Sequence, residues 1–197
     1  MALGTKTIRK VQKIFGPGNA YVVAAKRLLV GHVAIDLLPG PSEVLVIADE
    51  TANPKFVAAD IMAQAEHGSG KERVWMVTDS ETILNAVQDE IAKQVRLLSR
   101  AEMVEKVLTE STALILVKDM EQGVLLANQL APEHCEVMTE NPRKTSEGIH
   151  TAGALMLGDY SPAVLGDYVA GPSHVLPTGG AGRSFPGLTG KAHYADR

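Results

Sequence analysis

Glu43-Val44-Leu45-Val46-Ile47-Ala48 decides the fold class. The run is apolar from Val44 to Ala48 with no alternation, so the strand it predicts must be covered on both faces. Strands of that kind sit inside parallel sheets with helices on either side. Working outward, short apolar runs and helical periods alternate as far as Leu157. Asn53 and Pro54 suit the cap and first turn of a helix, with Val57 and Ile61 four apart on its inner face. Gln64-Ala65-Glu66-His67 closes that helix, and Gly68 suits its stop. Arg73–Thr78 reads as a strand. Glu81–Arg96 reads as a helix striped by Ile83, Val87 and Ile91. Ser99-Arg100-Ala101-Glu102 has the form of a capping box opening another helix. Ala113–Val117 is a strand, and Asp119 caps a helix that Ala131-Pro132 stops. Cys135–Met138 is a strand, Asn141-Pro142 starts a helix, and Ala154–Leu157 is a strand. Ser161-Pro162 opens a last short helix carrying Asp167 and Tyr168.

The predicted class is α/β, a mostly parallel sheet with helices on both faces in an incomplete Rossmann-like arrangement. Residues 43–170 form the main domain, and residues 171–197 a Gly/Pro-rich tail. Residues 1–42 read as the remnant of a second α/β domain. There, residues 11–15 alternate like a short strand, and Gly16-Pro17-Gly18-Asn19 breaks it. Asn19 then caps a helix over Ala20–Leu29. Such a junction offers backbone N–H groups to a phosphate, or is a plain tight turn. With few neighbours, this piece is expected to expose an apolar face, which usually marks an interface.

The chain has 197 residues, is 45% hydrophobic and carries a formal charge of −4. Acids and bases are interspersed with no basic stripe, which argues against a nucleic-acid partner. Cys135 is the single cysteine, so there is no intrachain disulfide, and a reducing, cytoplasmic compartment fits. Met1–Lys6 lacks a signal-peptide apolar run. No stretch is long and apolar enough to span a bilayer.

Three polar clusters could carry chemistry. Gln64 and His67, three apart, share one face of a helix, so an amide oxygen and an imidazole nitrogen can converge. Asp167 could add a carboxylate to complete an oxygen- and nitrogen-rich metal site. Glu133-His134 follows Pro132 at a helix-to-strand junction and joins an acid to an imidazole. Ser42 leaves the stiff Pro39-Gly40-Pro41 turn. By spacing alone, Gln64 and His67 read first as an ordinary polar helix end, Glu133-His134 as a surface pair and Ser42 as a turn residue.

Five segments together are far more specific. They are Phe15-Gly-Pro-Gly-Asn-Ala20, Gly40-Pro-Ser-Glu-Val-Leu-Val-Ile-Ala-Asp49, Gln64-Ala-Glu-His67, Ala131-Pro-Glu-His134, and Gly166-Asp-Tyr168 through His174-Val-Leu-Pro-Thr178. In order and spacing the chain resembles histidinol dehydrogenases over roughly residues 4–189. The resemblance implies oxidation of L-histidinol through histidinaldehyde to L-histidine, with hydrides passed to two NAD molecules and zinc in the site. It implies zinc ligation by Gln64, His67 and Asp167, and acid–base roles for Glu133 and His134. It implies substrate contacts by Ser42, Gln64, His67, His134 and Asp167, and an NAD contact by Asn19. His174 is implied near the site, without an assigned role. A homodimer is also implied.

The family's chains are about twice as long. Their C-terminal segment supplies a fourth zinc ligand, a histidine from the partner subunit, and a substrate-binding glutamate. After Thr189 the text departs from the family, and His193 does not stand in for that ligand. The isolated chain is therefore expected to fold at least in part without meaningful histidinol turnover. Two other readings stay open. One is a related zinc- and NAD-dependent alcohol dehydrogenase with another substrate. The other is a non-catalytic homologue or binding module.

Overall fold

The computed structural model describes residues 1–168 and 175–185, and of Asp167 the backbone only. A five-stranded sheet is built from β3 (Glu43–Ala48), β4 (Arg73–Thr78), β5 (Thr112–Leu116), β6 (His134–Met138) and β7 (Ala154–Leu157). Its order is β5-β4-β3-β6-β7, and every pairing is parallel. The central strand is β3, and all six of its residues, Glu43 included, are buried.

Alternate residues of β3 feed two cores, as the period-two geometry of a strand requires. Val44, Val46 and Ala48 pack with Val57, Ile61 and Ala65 of α2 (Pro54–Ala65), Val87 of α3 (Glu81–Gln94), and Val104 and Val107 of α4 (Ala101–Glu110). Leu45 and Ile47 face the other way. They pack with Val77, Cys135, Val137 and Ala127, the last on α5 (Met120–Leu130). A short helix, α6 (Pro142–Ser146), joins β6 to β7. Helices therefore cover both faces, the α/β class predicted from the sequence.

Several boundaries differ from the sequence reading. The helix through Gln64 ends at Ala65 with Glu66 as its C-cap, so His67 lies beyond the last helical turn. Gly68, at φ 120°, turns the chain away, a backbone conformation that suits glycine. The expected capping box at Ser99 does not form. Arg100 takes the cap position without a side-chain cap bond, one residue later than the box required. The helix from Glu81 leaves α geometry at Gln94 and tightens into a 3-10 turn over Val95–Leu97, a common way to end a helix. The last short helix is also 3-10, over Ala163–Asp167, with Tyr168 just outside.

Before this sheet come β1 (Lys13–Ile14), α1 (Ala20–Leu29) and β2 (Ala34–Ile35), with β1 and β2 paired parallel. The expected strand over 11–15 is thus only two residues long. Lys26 is the one buried residue of α1. Its ammonium pairs with Asp36 and donates to the Gly16 carbonyl at 2.8 Å, while Asp36 Oδ2 accepts from Gly16 N–H at 2.7 Å. Burial raises the Asp36 pKa. The hydrogen bonds from Lys26, Gly16 and Leu37 and the Lys26 charge outweigh it, leaving the group below its ordinary 3.8. The rest of α1 is open, with Tyr21 and Leu28 both more than four-fifths exposed and Val22, and Val30 just after the helix, also exposed. The apolar face expected on this segment is there. Val175, Leu176 and Thr178 pack inward, so this part of the Gly/Pro-rich stretch is buried although it has no strand.

Candidate active site

Ser42, Gln64, His67, Glu133 and His134 line one small pocket of about 100 Å³. Sheet register brings them together. Ser42 immediately precedes β3, Glu133 immediately precedes β6, and Val44 of β3 is paired with His134 of β6. Gln64 closes α2, which returns over this end of the sheet. The pocket therefore sits at the amino ends of the central strands. Ligands in open parallel sheets usually gather at the carboxyl ends. Here that edge carries Asp49, Glu50, Asp79 and Glu140 around a shallow depression, a poor setting for an anionic dinucleotide.

The backbone N–H and C=O of Glu43 organise the acid–base pair. Its N–H donates to Glu133 Oε2 at 3.0 Å, and its carbonyl lies 3.1 Å from His134 Nδ1. A carbonyl only accepts, so His134 must carry a proton on Nδ1, which makes Nε2 the basic nitrogen when the ring is neutral. Glu133 Oε2 is 3.7 Å from His134 Nδ1. The Glu43 side chain is buried and faces Arg73 Nη1 at 3.6 Å, and it accepts from Gly179 N–H at 3.1 Å. Burial raises its pKa against those two contacts and the backbone bond at Glu133.

Gln64 is buried, and its Nε2 meets no partner among the described residues. An orphaned amide atom on a pocket wall suits a ligand, since rotating the amide turns its oxygen inward. His67 is well exposed on the same wall. Its Nδ1 stands 4.0 Å from Glu72 Oε1, and that oxygen accepts from Ser69 N–H at 2.6 Å. Arg100 Nη1 donates to the Glu66 carbonyl at 3.0 Å and fastens the turn. Amide oxygen and imidazole nitrogen are donors that zinc accepts. Among the described residues no group of three His, Cys, Asp or Glu is placed to hold a metal. Asp167 ends the 163–167 turn, whose first residues, Ala163 and Val164, line the pocket. Its side chain and His174 lie outside the described residues.

Asn19 does not line this pocket. Its Oδ1 accepts from Tyr21 N–H at 3.1 Å and Val22 N–H at 3.2 Å. The helix end expected to be open to phosphate is thus partly capped by Asn19 itself. The amide nitrogen of Asn19 is the side-chain group left to meet a ligand. Cys135 is fully buried, and burial pushes its thiol up to about 12, in keeping with an inert core residue.

Asp60 and Glu136 also line the pocket. The sequence reading passed over both. The available signal was an acid inside an otherwise apolar strand, His134-Cys135-Glu136-Val137-Met138.

The family model for histidinol dehydrogenase matches residues 1–194. The histidinol dehydrogenase of Clostridium acetobutylicum is 49% identical over 183 residues, which is 93% of this chain and 42% of that protein. That of Vibrio cholerae is 48% identical over 200 residues, covering 100% of this chain and 46% of that protein. The crystal structure of histidinol dehydrogenase from Elizabethkingia anophelis superposes with a TM-score of 0.92 at 42% identity, covering 98% of this chain and 44% of that one. The chain spans a little under half the length of these relatives. The parallel sheet, the gathered Gln64, His67, Glu133 and His134, and these matches agree: the chain belongs to the histidinol dehydrogenase family.

Proposed function

We propose that this chain carries the zinc- and substrate-binding side of an enzyme that oxidises L-histidinol to L-histidine with NAD. The observation that carries the reading is the Glu43 backbone, whose N–H and C=O hold Glu133 and His134 beside Gln64 and His67 in one pocket. His134 Nε2 accepts the hydroxyl proton of the alcohol as its carbon gives up hydride. Glu133 takes a proton from the water that adds to the aldehyde. Ser42 and His134, at the amino ends of two neighbouring strands, hold the substrate. NAD, when bound, would supply the hydride acceptor for each oxidation, and Asn19 would be one of the residues that hold it. Zinc, held by Gln64, His67 and Asp167, would orient the amino alcohol and imidazole and secondarily polarise the reacting oxygen. The exposed apolar residues of α1 support assembly as a homodimer, and the single cysteine, Cys135, fits a reducing, cytoplasmic compartment. A monodisperse monomer at high concentration in light scattering would count against that assembly.

Zinc stoichiometry and calorimetry on this chain test the site without requiring turnover. Zinc should bind, L-histidinol should bind only in its presence, and His67→Ala should remove both, since it deletes the one imidazole of the set. Unchanged zinc stoichiometry in His67→Ala would sink the assignment. A second reading, a related alcohol dehydrogenase with another substrate, predicts zinc binding without L-histidinol binding.

A further inference from the structure

The chemistry above leaves two acids in the pocket unused. Asp60 stands on α2 one turn before Gln64. Glu136 stands on β6 two residues after His134, on the same face of the strand. Glu136 is 1% exposed. Its Oε1 accepts from Ala163 N–H at 2.6 Å, and Ala163 opens the turn that ends at Asp167. Its Oε2 is buried and meets no donor among the described residues. The Asp60 carboxyl lines the same pocket, and its charge and hydrogen bonding act on Glu136.

Two ionised carboxylates in this place would repel each other, and neither could donate a hydrogen bond. One proton between them removes both problems, as in other carboxyl pairs. The more enclosed member keeps it. Burial raises Glu136 well above its ordinary value, and the Asp60 charge adds to that. Burial also pushes Asp60 up to about 6, against the hydrogen bond from Glu136. The other titratable groups described on this pocket are His67, Glu133 and His134.

We infer that Glu136 stands as a neutral acid donating Oε2–H to the Asp60 carboxylate, and that this pair positions the site by clipping three segments together. Those segments are α2 with Gln64 and His67, β6 with His134 and the preceding Glu133, and the 163–167 turn with Asp167. Neither acid touches the reacting atoms in this account; both are positioning residues. The consequence for metal binding rests on the zinc reading proposed above.

Two measurements on this chain test the inference. Carboxyl carbon NMR should find Glu136 still protonated at neutral pH. Zinc affinity should separate two substitutions of similar size. Glu136→Gln keeps a donor for Asp60 and an acceptor for Ala163, so affinity should stay within about threefold. Glu136→Met keeps bulk but loses both bonds, and affinity should fall by about tenfold or more, as for other residues that orient metal ligands. An ionised Glu136 at neutral pH would overturn the inference, as would equal losses in Gln and Met. If Met fails to fold, the Glu136 resonance and the Gln variant still decide. A wild-type chain that binds no zinc would sink the zinc reading and the positioning role together. The Glu136 resonance would still show whether the proton is shared.

Discussion

Gly40 and Thr178, 138 residues apart, are joined by a hydrogen bond of 2.5 Å from the Gly40 N–H to Thr178 Oγ1. The bond ties the 175–185 stretch to the turn that delivers Ser42. Thr178 is buried, and a side chain at position 40 would press on its hydroxyl, 3.0 Å from where a Cβ would stand. Thr178→Val keeps the shape and removes the acceptor. It should cost about 1–2 kcal/mol, the typical penalty for an N–H left unpaired, as read by urea unfolding. No change in the midpoint would show that the bond carries no stability.

The Glu43 carbonyl fixes the His134 tautomer. Nitrogen-15 NMR of the imidazole should show the proton of the neutral ring on Nδ1. His134→Asn, which can donate but cannot act as a base, should lower NADH formation in the active enzyme by about 10²–10⁴-fold. A neutral ring protonated on Nε2 would remove the proposed base.

The Glu136 pKa gives stability a pH dependence with a definite sign. Below about 4.5 the residue is protonated in both folded and unfolded chains and contributes no slope. Above that the unfolded chain releases the proton while the folded chain keeps it. Stability therefore falls as pH rises toward the raised folded value. Asp60 acts in the same direction between 3.8 and about 6. Glu136→Gln lacks its own part of this dependence. It should gain on the wild type as pH rises, with a limiting slope of roughly 1.4 kcal/mol per pH unit. Parallel denaturation curves for the two proteins from pH 5 to pH 8, the range chosen for the assay, would contradict this.

Lys26→Met should loosen the N-terminal segment. It strands the Asp36 carboxylate, which is enclosed at 0% side-chain exposure, and breaking one side of such a pair costs roughly 3–5 kcal/mol. In the wild type Asp36 is held below 3.8. Its contribution is complete above that value and disappears as pH falls through the folded one. The damage in Lys26→Met should therefore shrink in acid. Hydrogen exchange across α1, at neutral and acid pH, reads both effects.

The fold was legible because its signals are local. The unbroken apolar run in β3, and the strand and helix periods around it, report burial directly. Boundaries slipped where tertiary contacts decide them. Ser99 has the letters of a capping box, yet Arg100 takes the cap; His67 shares a helical spacing with Gln64, yet Gly68, Arg100 and Glu72 hold it outside the helix. The polar residues of the pocket were legible as a family pattern, but their arrangement was not. The bonds from the Glu43 peptide reach across 90 and 91 residues. Only the pairing of β3 with β6 creates them. Asp60 and Glu136 were missed for the same reason, since each looks like an ordinary acid until α2 is laid over the sheet.

Because the partners of Glu133 and His134 are a peptide N–H and a peptide carbonyl, their alignment is largely hidden from point mutation at position 43. Every amino acid brings the same carbonyl, and every one but proline brings the N–H. Drift at that position can change the buried side chain and its link to Gly179 while the acid–base pair keeps its anchor. Selection on the alignment must instead act on the register between two central strands, which a one-residue slip would destroy along with the core. The pair is thus inherited with the fold itself, and a descendant that changed its substrate through Ser42 or His67 would keep the same base.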